Sequence, residues 1–319
     1  MTGILAIAWG AQDAPSLPGP RDGRRLVQLL SVAAAAAIIT ASTAMTVMEQ
    51  SALDNDPASA KRSASDAGPT ALAGPETLVG AFTGVPYTYP SKVKIGKEGS
   101  PTFFSVDPVN WYTDPFHNPI YYGARVARWG TRTGVMVDFI HSKAIARLDE
   151  EADFSGTIDG QPVPARAPIK DVVKKMEFSH GHNMLLFNGL LRLPGLGAHL
   201  SPYVGAGAGV LLPHTELHLT NAPGHPRTYE YNYAGPAGQA LAGIEIRLSR
   251  MSLFVEYKFT YGQYGAPLSQ MDGSWLFLDL WRQVKRWIDG VEPPDGHVET
   301  EIVSHQVVGG LAVRFAARP

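Results

Sequence analysis

Short segments of alternating apolar and polar side chains run through the chain from residue 76 to residue 315, separated by Gly and Pro. In the last segment, one face carries mainly Val, Leu and Phe, and the other carries small or polar residues. Alternation with period 2 predicts β-strands, so the predicted fold is all-β. Eight segments show it, at residues 77–83, 121–129, 134–142, 183–193, 200–212, 239–248, 251–261 and 303–315.

The connections between these segments alternate strictly in length. Three are tight turns, at 130–133, 194–197 and 248–251, and four are long, at 84–118, 143–182, 214–228 and 263–302. In an up-and-down barrel this pattern places the turns at one rim and the loops at the other, as in outer-membrane barrels. We therefore predict an eight-stranded antiparallel up-and-down transmembrane β-barrel with four long extracellular loops, and with the N-terminus and the short turns in the periplasm.

Charged side chains in mid-strand positions indicate which face is the interior. We expect six of them to point inward with nearly balanced charge: Arg125, Asp138, Arg192, Glu245, Glu256 and Lys258. Eight strands leave an interior that side chains just fill. The row of Gly205, Gly207 and Gly209 is typical of a crowded or strongly curved wall. The alternative, a soluble lipocalin-like barrel with its apolar face inward, does not accommodate the mid-strand charges.

Aromatic residues near the strand ends predict the interfacial girdles of a membrane barrel. They are Tyr121, Tyr122, Trp129, Tyr203, Tyr257, Tyr261 and Tyr264. In the last long loop, residues 274–289 show apolar positions at helical spacing and predict a short amphipathic helix. Two placements remain open for it: on the membrane surface or over the barrel mouth, or packed against the other loops.

The N-terminal region has the pattern of an exported protein. Three arginines precede an apolar run at 26–44 that ends in small residues, which predicts a signal peptide over 1–44. An uncleaved membrane anchor is the alternative. Residues 45–75 are rich in Ala, Ser, Asp and Pro and predict a disordered linker before the barrel at 76–315 and a C-terminal tail at 316–319. No other run of 18 apolar residues exists, which excludes a polytopic helical membrane protein.

Composition removes several functional classes. The chain has 27 Lys and Arg against 29 Asp and Glu, a net charge of −2, and this balance is unlike the basic surface of a nucleic-acid-binding protein. There is no Cys, so disulfides, thiolate metal sites and a Cys nucleophile are excluded.

The predicted outer rim is rich in His and acidic residues. Strand residues two apart share a face, so His214, Glu216 and His218 would point to one side, as would His180 and His182. Together with His141, these six residues are candidate ligands for Fe(II) or another divalent metal such as Zn(II). The alternative is a set of solvated loop histidines. For Ser179 and His180, adjacent strand positions predict opposite faces and therefore no nucleophile–base pair.

Several segments resemble one family. PYVGAGAGVLLPHTEL at 202–217, YEYNYAGPAGQALAGIEIRL at 229–248 and SLFVEYKFTYG at 252–262 are similar to the lipid A oxidase family of small outer-membrane barrels, as are VDFIHSKAIA at 137–146 and FSHGHNMLLFNGLLRLP at 178–194. DF-x-H and PH-x-E are the narrower motifs. The resemblance implies oxidation of the proximal glucosamine of lipid A to 2-aminogluconate, with molecular oxygen as co-substrate.

From these observations we expect a monomeric outer-membrane protein that contacts lipid A or lipopolysaccharide, and the surrounding outer-membrane lipids, but no nucleic acid. His141, His214 and Glu216 are the catalytic candidates. Two other functions remain open. One is a non-catalytic barrel that serves adhesion, envelope integrity or binding, and the other is a lipid A deacylase, which requires a Ser and His pair.

Overall fold

The computed structural model describes residues 75–196 and 199–316. The predicted signal peptide, the predicted linker up to residue 74 and residues 317–319 of the predicted tail lie outside these ranges. The described residues form sixteen strands, one 3₁₀ turn (Ile169–Asp171) and one α-helix, α1 (Leu276–Ile288). None of the described helices is long and apolar enough to cross a bilayer.

The strands belong to one antiparallel sheet with branches. They are β1 (Glu76–Thr88), β2 (Ser91–Gly96), β3 (Phe103–Val109), β4 (Trp111–Tyr112), β5 (Tyr122–Trp129), β6 (Thr133–Ala146), β7 (Glu151–Ile158), β8 (Gln161–Pro162), β9 (Arg166–Pro168), β10 (Val173–Arg192), β11 (Leu200–Leu211), β12 (His214–Leu219), β13 (Thr228–Tyr231), β14 (Gly235–Arg247), β15 (Met251–Pro267) and β16 (His297–Ala316).

Strand pairing closes a ring in the order β1-β5-β6-β10-β11-β14-β15-β16, because β16 also pairs with β1. These eight strands include all eight predicted segments. The other eight strands lie in stretches predicted as long loops, and they extend the sheet at one end of the ring: β2 pairs with β16, β12 with β10 and β4 with β6. The loop prediction was wrong there, because such short strands contain too few alternating positions to show a period.

On both faces of β15 and β16, the polarity of the side chains changes at one level along the strands. This level lies between the pair Tyr261–Val303 and the pair Gln263–Glu301. Beyond this level the outward side chains are charged or polar, as at Glu299, and inside it most are apolar, as at Val255, which is 57% exposed. The exception is His305, whose ring nitrogens bond to the hydroxyls of Tyr89 and Tyr257. The buried faces change in the opposite sense, from Val298 and Ile302 in the extensions to Ser304, Gln306, Glu256 and Lys258 in the ring. The ring therefore has an apolar exterior, whereas the extensions have an apolar core.

All six predicted mid-strand charges are buried and paired in the ring. Arg125 donates two hydrogen bonds to Glu256, at 2.7 and 2.5 Å. Lys258 Nζ lies 2.5 Å from Asp138 and 3.7 Å from Glu256. Tyr203 adds a 2.6 Å hydrogen bond to Glu256. These four charges sum to zero, which makes their burial feasible.

A second charged group lies toward the short-turn end. Glu76 accepts hydrogen bonds from Arg192, Arg247 and Arg314, the last at 2.7 Å. Ser252 donates a 2.5 Å hydrogen bond to Glu245. Glu76 begins the first strand, where alternation alone does not single it out. The two groups line the ring interior with ion pairs and aromatic side chains, and a cavity of about 20 Å³ bordered by Arg125 and Glu245 lies between them.

The predicted aromatic girdle is only partly correct. Tyr122, Tyr257 and Tyr261 are on the outer face, whereas Tyr121, Trp129, Tyr203 and Tyr264 are buried, each at most 5% exposed. The reason is strand parity, since residues one apart point to opposite faces. Position near a strand end does not by itself determine the face.

Candidate functional site

Two carboxyl groups face each other in the strand extensions, outside the apolar part of the ring. Glu177 on β10 is directly opposite Glu216 on β12. Ser179 Oγ donates to Glu177 at 2.8 Å, and Lys175 Nζ lies 3.1 Å from the same oxygen. Arg227 Nη1 lies 3.4 Å from Glu216. Each carboxyl group is thus close to its own cation.

The environments of the two carboxyl groups separate their pKa values. Burial raises the pKa of Glu216, and hydrogen bonding and charge repulsion from Glu177 raise it further. Burial also acts to raise the pKa of Glu177, but hydrogen bonds from Ser179, Glu216 and Lys175 outweigh it and lower the pKa. Of the two carboxyl groups, Glu177 is therefore the stronger acid and Glu216 the weaker.

The sequence prediction for Ser179 and His180 is corrected by the backbone. The register of β10 against β6 shifts between Phe178 and His182, and Gly181 has a φ of 143°. This bulge interrupts the alternation of faces. Ser179 Oγ consequently lies 3.3 Å from His180 Nδ1. The hydroxyl proton of Ser179 is directed to Glu177, however, so His180 is not its base in this arrangement.

His214 is buried next to His180. Their ring centroids are 5.1 Å apart, and the His214 ring is 4.2 Å from that of Tyr229. His214 Nε2 lies 3.1 Å from the carbonyl oxygen of Gly273, which can only accept, so Nε2 carries the proton. His214 Nδ1 is then a buried lone pair with no hydrogen-bond partner among the described residues.

His141 and His182 are also buried, at 6% and 1% exposure. His141 Nδ1 is 2.8 Å from Asn183 Oδ1, and its ring stacks on Tyr122 at 4.6 Å. His182 Nδ1 bonds to the hydroxyl of Tyr264. Within the described ranges, Nε2 of each ring has no hydrogen-bond partner. The bulge places His180 in an exposed position and His182 in a buried one, so the two do not share a face.

The predicted ligands come together only in part. His180, His214 and Glu216 belong to the same extension as Glu177, and His218 is half-buried one position beyond Leu217 on β12. The ring nitrogens of His141, His182 and His214 that have no hydrogen-bond partner among the described residues are of the type that coordinates divalent metals. Among the described residues, no three His, Asp or Glu side chains are grouped to hold a metal ion.

Sequence reasoning missed the cations and aromatic residues around the carboxyl pair. Lys175 comes from the connection predicted at 143–182, whereas Arg227 lies in the one predicted at 214–228 and Tyr229 directly follows it. No periodic signal marks them. Their spatial proximity follows from the pairing of β10 with β12 and of β12 with β13.

His225 joins two distant parts of the extension, and this predicts a pH dependence. Its Nε2 is 2.9 Å from Asp159 and its Nδ1 is 2.8 Å from Asp295. Burial acts to lower the pKa of His225, but the hydrogen bonds to both carboxylates outweigh it and raise the pKa. The stabilisation is therefore present below the usual His pKa of about 6.5 and is lost as the pH rises through the higher folded value.

We expect hydrogen exchange near residues 157–161 and 220–227 to accelerate as the pH rises from about 6 to about 9, after correction for intrinsic exchange. His225→Gln should remove the pH-dependent acceleration that remains after this correction. His117, which is exposed and pairs only with Asp114, provides the matched control His117→Gln, which should behave as wild type. A wild-type chain without this acceleration would contradict the proposed role of His225.

Comparison with known proteins leaves the family open. No protein-family model matches the chain, and no curated protein matches it. Among solved structures, the chain is similar to the outer membrane protease OmpT from Escherichia coli, with a TM-score of 0.37 and 7% identity over 75% of this chain and 97% of that chain. A likeness of this size establishes neither a shared topology nor a shared activity.

Proposed function

We propose that this chain is an integral outer-membrane protein, with the ring of eight strands in the bilayer and the strand extensions as a folded domain outside the cell. The observation that carries the proposal is the change of polarity at one level on both β15 and β16. Lipid and water impose opposite requirements on an outward side chain, so a membrane boundary explains the change.

The length of the strands and the buried charges of the ring interior agree with a position in the bilayer. From Val303 to Val313, β16 contributes eleven residues whose outward face is apolar except for the hydrogen-bonded His305, and a tilted transmembrane strand needs about 9–11. The most exposed apolar side chains of the ring include Phe187 at 63% and Val135 at 64%. A soluble barrel would leave these in water while burying four ionised groups, Arg125, Asp138, Glu256 and Lys258, which is unfavourable on both faces.

Cysteine labelling tests location and orientation, because the chain has no Cys of its own. A membrane-impermeant maleimide should label Glu301→Cys on intact cells and Arg250→Cys only after the outer membrane is permeabilised. It should not label Val307→Cys in either case, because lipid covers that position. Labelling of all three in intact cells or in the soluble fraction would reject the proposal.

We further infer oxidation of the lipid A sugar as the candidate activity of this protein. The support is the resemblance of the sequence, together with the positions of its two narrower motifs. DF-x-H ends at His141 and PH-x-E begins at Pro213, and both lie at the extended end of the ring, where His180 is close to His214. We assign to the carboxylate of Glu177 the role of accepting a proton from an anomeric hydroxyl, which its lowered pKa supports.

In that reaction the C1–H and O1–H bonds of the sugar break, C1=O forms, and the two electrons and two protons reduce molecular oxygen to hydrogen peroxide. Hydrolysis of the resulting lactone gives the aminogluconate. The divalent metal of the sequence analysis stays a prediction, and no step is assigned to it here. His141, His214 and Glu216 stay candidates, with Glu177 added on the basis of its contacts.

Mass spectrometry of lipid A from cells with and without the protein tests the activity. We expect a species heavier by one oxygen atom with the wild-type chain, and its loss with Glu177→Gln or His214→Ala. His117→Ala serves as the control, because His117 is an exposed histidine outside the candidate site, and this variant should retain the product. Unchanged lipid A would favour a non-catalytic barrel, and release of free fatty acid by the purified protein would favour a deacylase.

A further inference from the structure

Helix α1 buries its polar face against the protein. Asp279 and Gln283 are 1% and 4% exposed. Gln283 bonds to both backbone groups of Tyr233, accepting from its N–H at 2.7 Å and donating to its carbonyl at 2.9 Å. Asp279 accepts from the backbone N–H of Tyr231 at 3.3 Å, and Arg286 lies 3.1 Å from Glu230. The helix is thus held to β13 and the residues after it by specific polar contacts.

The opposite face of α1 consists of large apolar side chains that contact little. We call Phe277, Leu278, Trp281, Trp287 and Ile288 the apolar face of α1, and their exposed fractions are 86%, 47%, 63%, 57% and 76%. Trp275, directly before the helix, is 75% exposed. A surface helix normally buries its apolar face and exposes its polar one. The reversed orientation indicates that this face meets a nonaqueous partner.

The position of α1 indicates which partner. Tyr233 holds the helix through Gln283 and also contacts the Trp287 ring, at 5.9 Å between centroids. Two residues after Tyr233, at Gly235, the chain enters β14, a strand of the ring. The outward residues of β14 next to this point are Pro236 and Ala240, and the same face continues to Ile244 and Ile246, at 44% and 37% exposure, toward the short-turn end. The apolar face of α1 is therefore anchored at the rim of the same apolar surface that the ring presents to lipid.

Charge and side-chain type agree with a lipid partner. Lys285 is exposed beside the apolar face, and Arg282 is half-buried at its border, where it also pairs with Asp279 at 3.2 Å. Trp, Phe and Leu on one side with Lys and Arg beside them are typical of helices that lie in a membrane interface. The cations would face the anionic headgroups of the outer leaflet, and the indole rings would lie at headgroup depth.

We propose that α1 inserts its apolar face among the acyl chains of the outer leaflet, so that the last loop is an in-plane membrane anchor beside the ring. This inference rests on the outer-membrane function proposed above. It makes the outer domain a lipid-contacting body whose orientation relative to the bilayer is fixed by α1 as well as by the ring.

Depth-dependent quenching separates this proposal from the one on which it rests. The full chain carries one environment-sensitive fluorophore at Phe277→Cys, Val255→Cys or Glu98→Cys and is reconstituted into phosphatidylcholine–phosphatidylglycerol vesicles that contain doxyl-labelled lipid. The label at position 255 reports the ring exterior, the label at 98 reports an exposed turn of the extension, and the label at 277 reports the apolar face of α1.

We expect lipid-attached quencher to reduce the fluorescence at positions 255 and 277 and to leave that at 98 unchanged, with the stronger quenching at 277 from shallow doxyl positions. Quenching at 255 without quenching at 277 would overturn the role of α1 and leave the outer-membrane proposal intact. Absence of quenching at both would overturn both proposals. Loss of lipid quenching at 277 together with concentration-dependent dimerisation would assign the face to a second copy of this chain, and would also overturn the proposal.

Discussion

Glu256→Ala should lower the free energy of unfolding by about 3–5 kcal/mol, the range observed when one partner of a buried ion pair is removed. Glu256 is 1% exposed and neutralises two cations that are buried with it, Arg125 at 2.5 Å and Lys258 at 3.7 Å. The substitution also removes the acceptor of the Tyr203 hydroxyl. The cavity beside Arg125 measures about 20 Å³, which is room for roughly one water molecule, so the guanidinium loses its two hydrogen bonds to Glu256 without full replacement by water.

Urea titration of the protein in detergent micelles or vesicles measures the change, and gel migration without heating checks that the ring still forms. Glu299→Ala is the matched control, because Glu299 is exposed and its partner Lys94 is 3.9 Å away. Exposed pairs contribute little, so the control should unfold at nearly the wild-type urea concentration. Equal behaviour of the two variants would contradict the description of the ring interior as a mutually dependent charge network.

Gly209→Ala should prevent the ring from closing normally or destabilise it at or above the roughly 1–3 kcal/mol typical of overpacking. A Cβ at position 209 would overlap sterically with the backbone carbonyl oxygen of Leu185 and would lie too close to the Cα of Leu186. Both obstacles are backbone atoms of β10, the strand that pairs with β11 at this point. They cannot move without breaking the pairing that closes the ring.

Gly238→Ala is the matched control for this substitution. Gly238 is on β14, paired with Ala208 of β11, and the nearest atom to a Cβ there is the Gly207 carbonyl oxygen at 3.8 Å. We expect Gly238→Ala to fold and migrate as wild type, whereas Gly209→Ala should show reduced folded protein in the membrane fraction. A fully folded Gly209→Ala protein with wild-type urea resistance would show that β10 and β11 are farther apart than described.

Much of the ring was predictable because alternation is a local property. The predicted faces of residues 303–315 agree with their burial, and so does the inward placement of Arg125, Asp138 and Lys258. The row of Gly205, Gly207 and Gly209 was expected on a crowded wall, and it lies on one. A strand with period 2 shows its two environments directly in its sequence.

The prediction failed where structure depends on pairing between short or irregular segments. The eight strands of the extensions have too few residues to show a period, and the bulge at Gly181 breaks the alternation of β10 near Ser179 and His180. Tyr121 and Trp129 were placed outside because their positions near strand ends were considered without their parity. The carboxyl pair of Glu177 and Glu216 could be seen as two rim residues, but their contact could not.

Periodicity along the chain was enough to establish antiparallel strands, an apolar and a charged face, and the alternation of short and long connections, because each depends on residues close together in sequence. The neighbours of each histidine, the opposite pKa shifts of Glu177 and Glu216, and the exposure of the apolar rather than the polar face of α1 were decided by the tertiary structure alone. These depend on which segments pack together across the ring and the extensions, and that proximity is created only when the sheet closes.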